Sequence, residues 1–177
     1  MLIPGQIVSL FTFPGVIVHE LAHQLFCRLS KIAVFEVCYF RFGNPAGYVI
    51  HETPKAISKQ IAISIGPFFL NTIVGSLIAL PAVIPVMTFS DNSNWLNYVL
   101  IWLGVSIAMH SFPSMQDAKS IWTLIRDRQT PILHKIFATP LVGLLYICSM
   151  GSVVWLDLAY GAAVVALLPK LLIKLVA

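Results

Sequence analysis

Apolar residues in this chain fall into long runs separated by short polar stretches. Five runs are long enough to predict helices that cross a bilayer, since ~20 residues at 1.5 Å rise span the hydrocarbon layer. They extend from Leu2 to Leu29, Ile57 to Met87, Trp95 to Phe112, Pro131 to Val154 and Leu156 to Leu175. Pro81 and Pro85 are expected to loosen the far end of the second. The last two, parted only by Trp155-Leu156-Asp157, predict a tight helical hairpin. Between the first two runs the period changes. From Val34 to Ile50 aromatic and β-branched residues surround a Gly43-Asn44-Pro45 turn signal, which predicts a β-hairpin at the membrane interface.

The expected fold is an all-α polytopic membrane protein of about five transmembrane helices, with a short interfacial β-hairpin between the first two. A three-helix core occupies residues 1–130 and a C-terminal helical hairpin residues 131–177 of the same membrane domain. The apolar N-terminal run has no basic segment before it and no small-residue cleavage site after it, so it reads as retained.

Composition narrows the class further. Of 177 residues, 58% are hydrophobic and 10% charged, with mean hydropathy +0.88, whereas a soluble domain carries about 25% charged residues. A water-soluble fold is excluded for want of a surface. The net charge of +4 sits in juxtamembrane clusters, so nucleic acid is not an indicated partner; the lipid bilayer is. The clusters are Arg28, Lys31, Arg41, Lys55 and Lys59, then Lys119, Arg126, Arg128 and Lys135, then Lys170 and Lys174. Five spans with the N-terminus outside put all of them on the cytoplasmic side. Cys27, Cys38 and Cys148 show no paired spacing and read as packing residues.

One polar motif interrupts the first run: His19-Glu20-Leu21-Ala22-His23. Four residues apart on a helix, the two imidazoles project from one face and can grip one metal ion. In an HExxH site the Glu is a proton acceptor for metal-activated water and not a ligand. Ionisable groups at membrane depth cost about 2.5–3.5 kcal/mol each on insertion scales, and a cation offsets that cost. A catalytic Zn2+ takes a third protein ligand. Candidates are Asp117, His110, His51, His134, Asp91 and Asp157; Asp91 and Asp157 are expected on the outer side, away from the inner end of the first span. Asp117 is favoured, with His110 as the alternative, because Pro113 interrupts the third run beside both and can expose backbone to a polar cavity.

Together with Gly66-Pro67-Phe68-Phe69-Leu70-Asn71 in the second run and an Asp after a Pro in the third, the motif resembles the site-2 protease group of intramembrane zinc metalloproteases. The resemblance covers roughly Leu2 to Asp117, with Phe112-Pro113-Ser114-Met115-Gln116-Asp117-Ala118 standing where that group carries Asn-Pro-Asp-Gly. It implies zinc on His19, His23 and Asp117, Glu20 as general base, and Asn71 contacting the substrate backbone or steadying the oxyanion. The function expected is hydrolysis of membrane-protein or peptide substrates, in a bacterial or archaeal cytoplasmic membrane with the active site near the cytoplasmic face. The alternatives are a non-catalytic membrane-helix-binding homologue and a metal transporter.

Overall fold

The computed structural model describes residues 5–91 and 93–176. These form seven α-helices, a 3-10 turn and one two-stranded sheet. The first apolar run is not one straight span. Helix α1 (Gly5–Phe11) and helix α2 (Phe13–Leu29) meet at Thr12 at 90°. Pro14 favours the break: it has no N–H and clashes with the carbonyl four residues back, which suits it to the first turn of a new helix, where it stands in α2. Thr12 terminates α1 by donating its hydroxyl to the Val8 carbonyl at 2.7 Å.

After α2 come strands β1 (Val34–Cys38) and β2 (Tyr48–His51), paired antiparallel with Val34 opposite His51 and Cys38 opposite Tyr48. The hairpin lies along α2: the Tyr39 hydroxyl donates to Gln24 Oε1 at 2.7 Å, and the Phe40 ring sits 5.9 Å from that of Phe13. Helix α3 (Ile57–Phe89) follows, then α4 (Trp95–Met109), α5 (Met115–Arg126), α6 (Ile132–Gly151), the 3-10 turn Ser152–Val154 and α7 (Leu156–Val176).

Two helices, over Ile57–Met87 and Ile132–Gly151, are long and apolar enough to cross a membrane, and α1 with α2 makes a third if that bent pair counts as one span. Trp95–Met109 and Leu156–Leu168 are apolar but shorter. Two or three spans by length, rather than five, is the count the structure supports.

Helices α2, α3 and α4 form the bundle that holds the polar centre. Gly15 lets α2 touch α4: a Cβ there would lie 1.9 Å from the Ser106 carbonyl oxygen, and its amide donates to Ser106 Oγ at 3.2 Å. Helix α5 is amphipathic and buries Ala118, Ile121 and Ile125 against Ile57 of α3 and Ala138, Val142 and Leu145 of α6. Antiparallel to α5, α6 returns until Ser149 Oγ donates to the Pro113 carbonyl at 3.0 Å. Helix α7 therefore begins beside the end of α4: Gly161 packs on Met109, Tyr160 OH hydrogen-bonds Thr72 Oγ1 at 2.8 Å, and Val165 joins Ala79, Val83 and Ala108. This corrects the expectation for Asp157. Hydropathy counts runs without saying which side each ends on, and the α5–α6 return carries Asp157 to the polar centre instead of the far side.

Candidate metal centre

His19, Glu20 and His23 lie on the buried side of α2, all under a tenth exposed. Each imidazole is fixed from behind. His23 Nδ1 donates to the Ile63 carbonyl at 3.0 Å, and His19 Nδ1 to the His110 carbonyl at 2.6 Å. A carbonyl only accepts, so both Nδ1 atoms carry protons and both Nε2 atoms present lone pairs.

Proline supplies both carbonyls. Pro67 stands inside α3 without an N–H, which leaves the carbonyl four residues earlier, that of Ile63, free of its helical partner. His110 caps the C-terminal end of α4, where carbonyls lack intrahelical donors and Pro113 prevents continuation. Gly66 clears the approach, because a Cβ there would fall 2.2 Å from the Phe26 ring of α2.

The Nε2 atoms of His19 and His23 are 3.0 Å apart, and Asp117 Oδ1 lies 3.6 Å from His23 Nε2. Ligand atoms of His19, His23 and Asp117 all fall within 4.8 Å of one another. Asp117 is oriented as firmly as the rings. It is the third residue of α5, and its Oδ2 accepts from the Ser114 amide at 2.8 Å and the Ser114 hydroxyl at 2.6 Å, while Ser114 Oγ accepts the Asp117 amide at 3.2 Å. This capping box spends Oδ2 and leaves Oδ1 for the centre.

The donor set fits a divalent cation. Two lone pairs 3.0 Å apart repel in a buried site unless a positive charge lies between them. Donors of a tetrahedral centre with bonds of ~2.0–2.1 Å stand roughly 3.3 Å apart, which the 3.0 and 3.6 Å separations bracket. The buried carboxylate and the tautomer-fixing carbonyls complete the usual surroundings of metal-bound histidine.

A cavity of about 300 Å³ opens from this group. Its walls include Glu20, the hairpin segment from Pro45 to Val49, His51, Gln60, Phe112 and Asp157. The hairpin comes so close that a Cβ on Gly47 would sit 2.7 Å from Glu20 Cγ.

Other sequence candidates fall elsewhere. The His110 ring lines the cavity, but its Nδ1 donates to the Ser106 carbonyl at 3.0 Å, and it serves His19 through its backbone. His51 lines the cavity on β2 without joining the ligand group. His134 faces a groove between α3 and α6. Asp91 is exposed between α3 and α4, its carboxyl held below the usual range by the Ser93 hydroxyl and amide. Asn71 stands behind His19, wholly buried, with Nδ2 donating to the carbonyls of His110 at 3.1 Å, Ile107 at 3.3 Å and Gly15 at 3.4 Å. Its Nδ2 joins α2, α3 and α4, while its buried Oδ1 has no hydrogen-bond partner among the described residues.

The sequence reading missed Gly47, Ser114 and the role of Pro67. The Ser114-x-x-Asp117 spacing and the i−4 rule for proline were the available signals. No protein-family model, curated protein or solved structure matches this chain.

Proposed function

We propose that the chain is an intramembrane zinc metalloprotease of the site-2 protease kind, hydrolysing peptide bonds of membrane-associated or transmembrane substrates. The observation that carries this reading is the convergence of His19 Nε2, His23 Nε2 and Asp117 Oδ1 within 4.8 Å, beside Glu20, on a cavity. Two imidazoles and one carboxylate are the ligand chemistry of catalytic zinc, which leaves a position open for water. When bound, zinc lowers the pKa of its water to about 7 and polarises a carbonyl.

The chain's own groups do the rest. Glu20 takes the proton from water as the water oxygen bonds to the scissile carbon and the carbonyl electron pair moves to oxygen. On collapse the C–N bond breaks, its pair goes to nitrogen, and Glu20 returns the proton there. Asp117 and the two histidines stay fixed throughout, held by Ser114, Ile63 and His110. Because β2 pairs with β1 on one side only, and Tyr48, Val49 and His51 border the cavity, an unwound substrate segment finds a free strand edge at the centre. That edge satisfies backbone groups which an unwound transmembrane helix would otherwise leave bare.

Arg28 and Lys31 close α2, Lys55 and Lys59 open α3, and Lys119 and Arg126 lie on α5. By the retention of basic residues on the cytoplasmic side, this end of the bundle faces the cytoplasm of a bacterial or archaeal cell, with Lys170 and Lys174 towards the other end of α7 as exceptions to the expected one-sided clustering. The test uses protein in liposomes with a single-span peptide bearing a fluorophore and quencher. Wild type cleaves it; Glu20→Gln keeps its zinc and does not. Full activity in that variant removes Glu20 from the chemistry.

A further inference from the structure

We propose that His51 is a further catalytic residue of this reaction, donating from Nε2 to the scissile carbonyl oxygen as negative charge develops there. The inference rests on the peptidase reading and adds a group that the HExxH motif does not contain.

It begins from a shortage. A tetrahedral intermediate needs hydrogen-bond donors at its oxyanion, and Asn71, the residue expected to provide one, has given its amide to three carbonyls. Four of the donors lining the cavity are spent, while Ser9, Gln116 and Ser152 also line it with no side-chain hydrogen bond among the described residues. Tyr48 OH donates to Glu36, Gln60 Nε2 to Ser64 Oγ at 3.2 Å, Ser114 Oγ to Asp117 and Ser120 Oγ to the Gln116 carbonyl at 2.9 Å.

Two rings in the cavity keep an uncommitted Nε2, those of His110 and His51. His110 is half-buried like His51 and lies at the end of α4, its Nδ1 2.6 Å from the position of a Cβ on Gly15, away from the strand edge. His51 is only half-buried and lies on β2, the strand whose open edge borders the cavity. A substrate segment laid along that edge passes the same cavity that the ring lines. His51 Nδ1 is anchored by donating to the Glu52 carbonyl at 2.8 Å, which leaves Nε2 as its free polar atom.

With Nδ1 already donating, Nε2 donates only when the ring is protonated.

The experiment compares zinc-loaded wild type, His51→Phe and His51→Gln on the single-span peptide. It also measures, by calorimetry, binding of a phosphinate isostere of that peptide and of the peptide itself. His51→Phe is expected to lower kcat about 10²-fold, the scale of losing one oxyanion donor. KM, zinc content and peptide affinity stay unchanged, while phosphinate affinity falls. His51→Gln keeps an amide donor, so it retains more of kcat and of phosphinate affinity than Phe does. Wild-type kcat and phosphinate affinity in His51→Phe overturn the inference alone, as does an equal loss in both variants accompanied by lost zinc or raised KM, which marks a structural role. If zinc-loaded wild type cleaves nothing, the peptidase reading itself falls, and the inference with it.

Discussion

Pro67 and His23 meet at one atom, the carbonyl oxygen of Ile63. The proline leaves that oxygen without its helical partner, and His23 Nδ1 takes it at 3.0 Å. A kink residue in one helix thereby sets the tautomer of a ligand in another, and an equivalent relation, with the end of α4 in place of the kink, ties His19 to His110 at 2.6 Å.

Replacing the proline tests the relation. Pro67→Ala restores an N–H that competes with His23 for the Ile63 carbonyl. Zinc affinity is expected to fall about 10-fold or more, the usual effect of removing a ligand's hydrogen-bond partner, although the substitution favours the helix itself. Competition with a chelator of known affinity reads this; unchanged affinity would show that the Ile63 carbonyl does not orient the ring.

Ser114→Ala removes the hydroxyl that holds Asp117 Oδ2 at 2.6 Å and accepts the Asp117 amide. Loss of an N-cap costs about 1 kcal/mol of stability, and the freed carboxylate turns away from the centre, again weakening zinc by about 10-fold. Ser114→Thr keeps the hydroxyl and restores both, as thermal unfolding with and without zinc will show.

Asn71→Ala strips one donor from three buried carbonyls. The His110 and Ile107 carbonyls keep His19 Nδ1 and the His110 amide as donors, so the loss is the net worth of the Asn71 bonds, about 0.5–1.5 kcal/mol each, and the midpoint of thermal unfolding drops by several degrees. Because Asn71 backs His19 and not the substrate, the activity remaining per bound zinc stays close to wild type. A large kcat loss in fully zinc-loaded, folded Asn71→Ala would return it to the chemistry.

Gly47→Ala places a methyl 2.7 Å from Glu20 Cγ, with the Tyr39 and Cys38 carbonyl oxygens 3.0 and 3.1 Å away on the other side. Either the hairpin lifts or Glu20 moves. Cleavage is expected to fall at least 10-fold with zinc content unchanged, since a 1 Å misplacement of a catalytic group costs on the order of 10²-fold. Peptide turnover beside metal analysis checks it.

Much of the centre was legible because its chemistry is local in sequence. His19, Glu20 and His23 share one helical turn, and Asp117 follows a proline that ends an apolar run. The hairpin was legible too, from Val34 to Ile50, because its turn residues and strand composition are short-range features. The relations that were not legible are those between elements. The run from Leu2 to Leu29 was expected as one span, whereas α1 turns 90° from α2 beside Pro14. The direction of α7 depends on α5 and α6 folding back on each other, a packing choice that no single run encodes, and so Asp157 was expected on the wrong side. Asn71 carries the same side chain whether it faces a substrate or three carbonyls; only the tertiary contacts decide.

In the proposed enzyme one zinc ion is held by the Nε2 atoms of His19 and His23 and an oxygen of Asp117. X-ray absorption at the zinc edge, on detergent-purified protein with its metal content measured in parallel, tests it most directly. The prediction is one zinc per chain, two imidazole nitrogens at ~2.0–2.1 Å with oxygen completing the shell, and loss of the metal in His23→Ala and Asp117→Ala. Metal-free protein, a shell containing sulfur, or zinc retained in Asp117→Ala but lost in His110→Ala would contradict it.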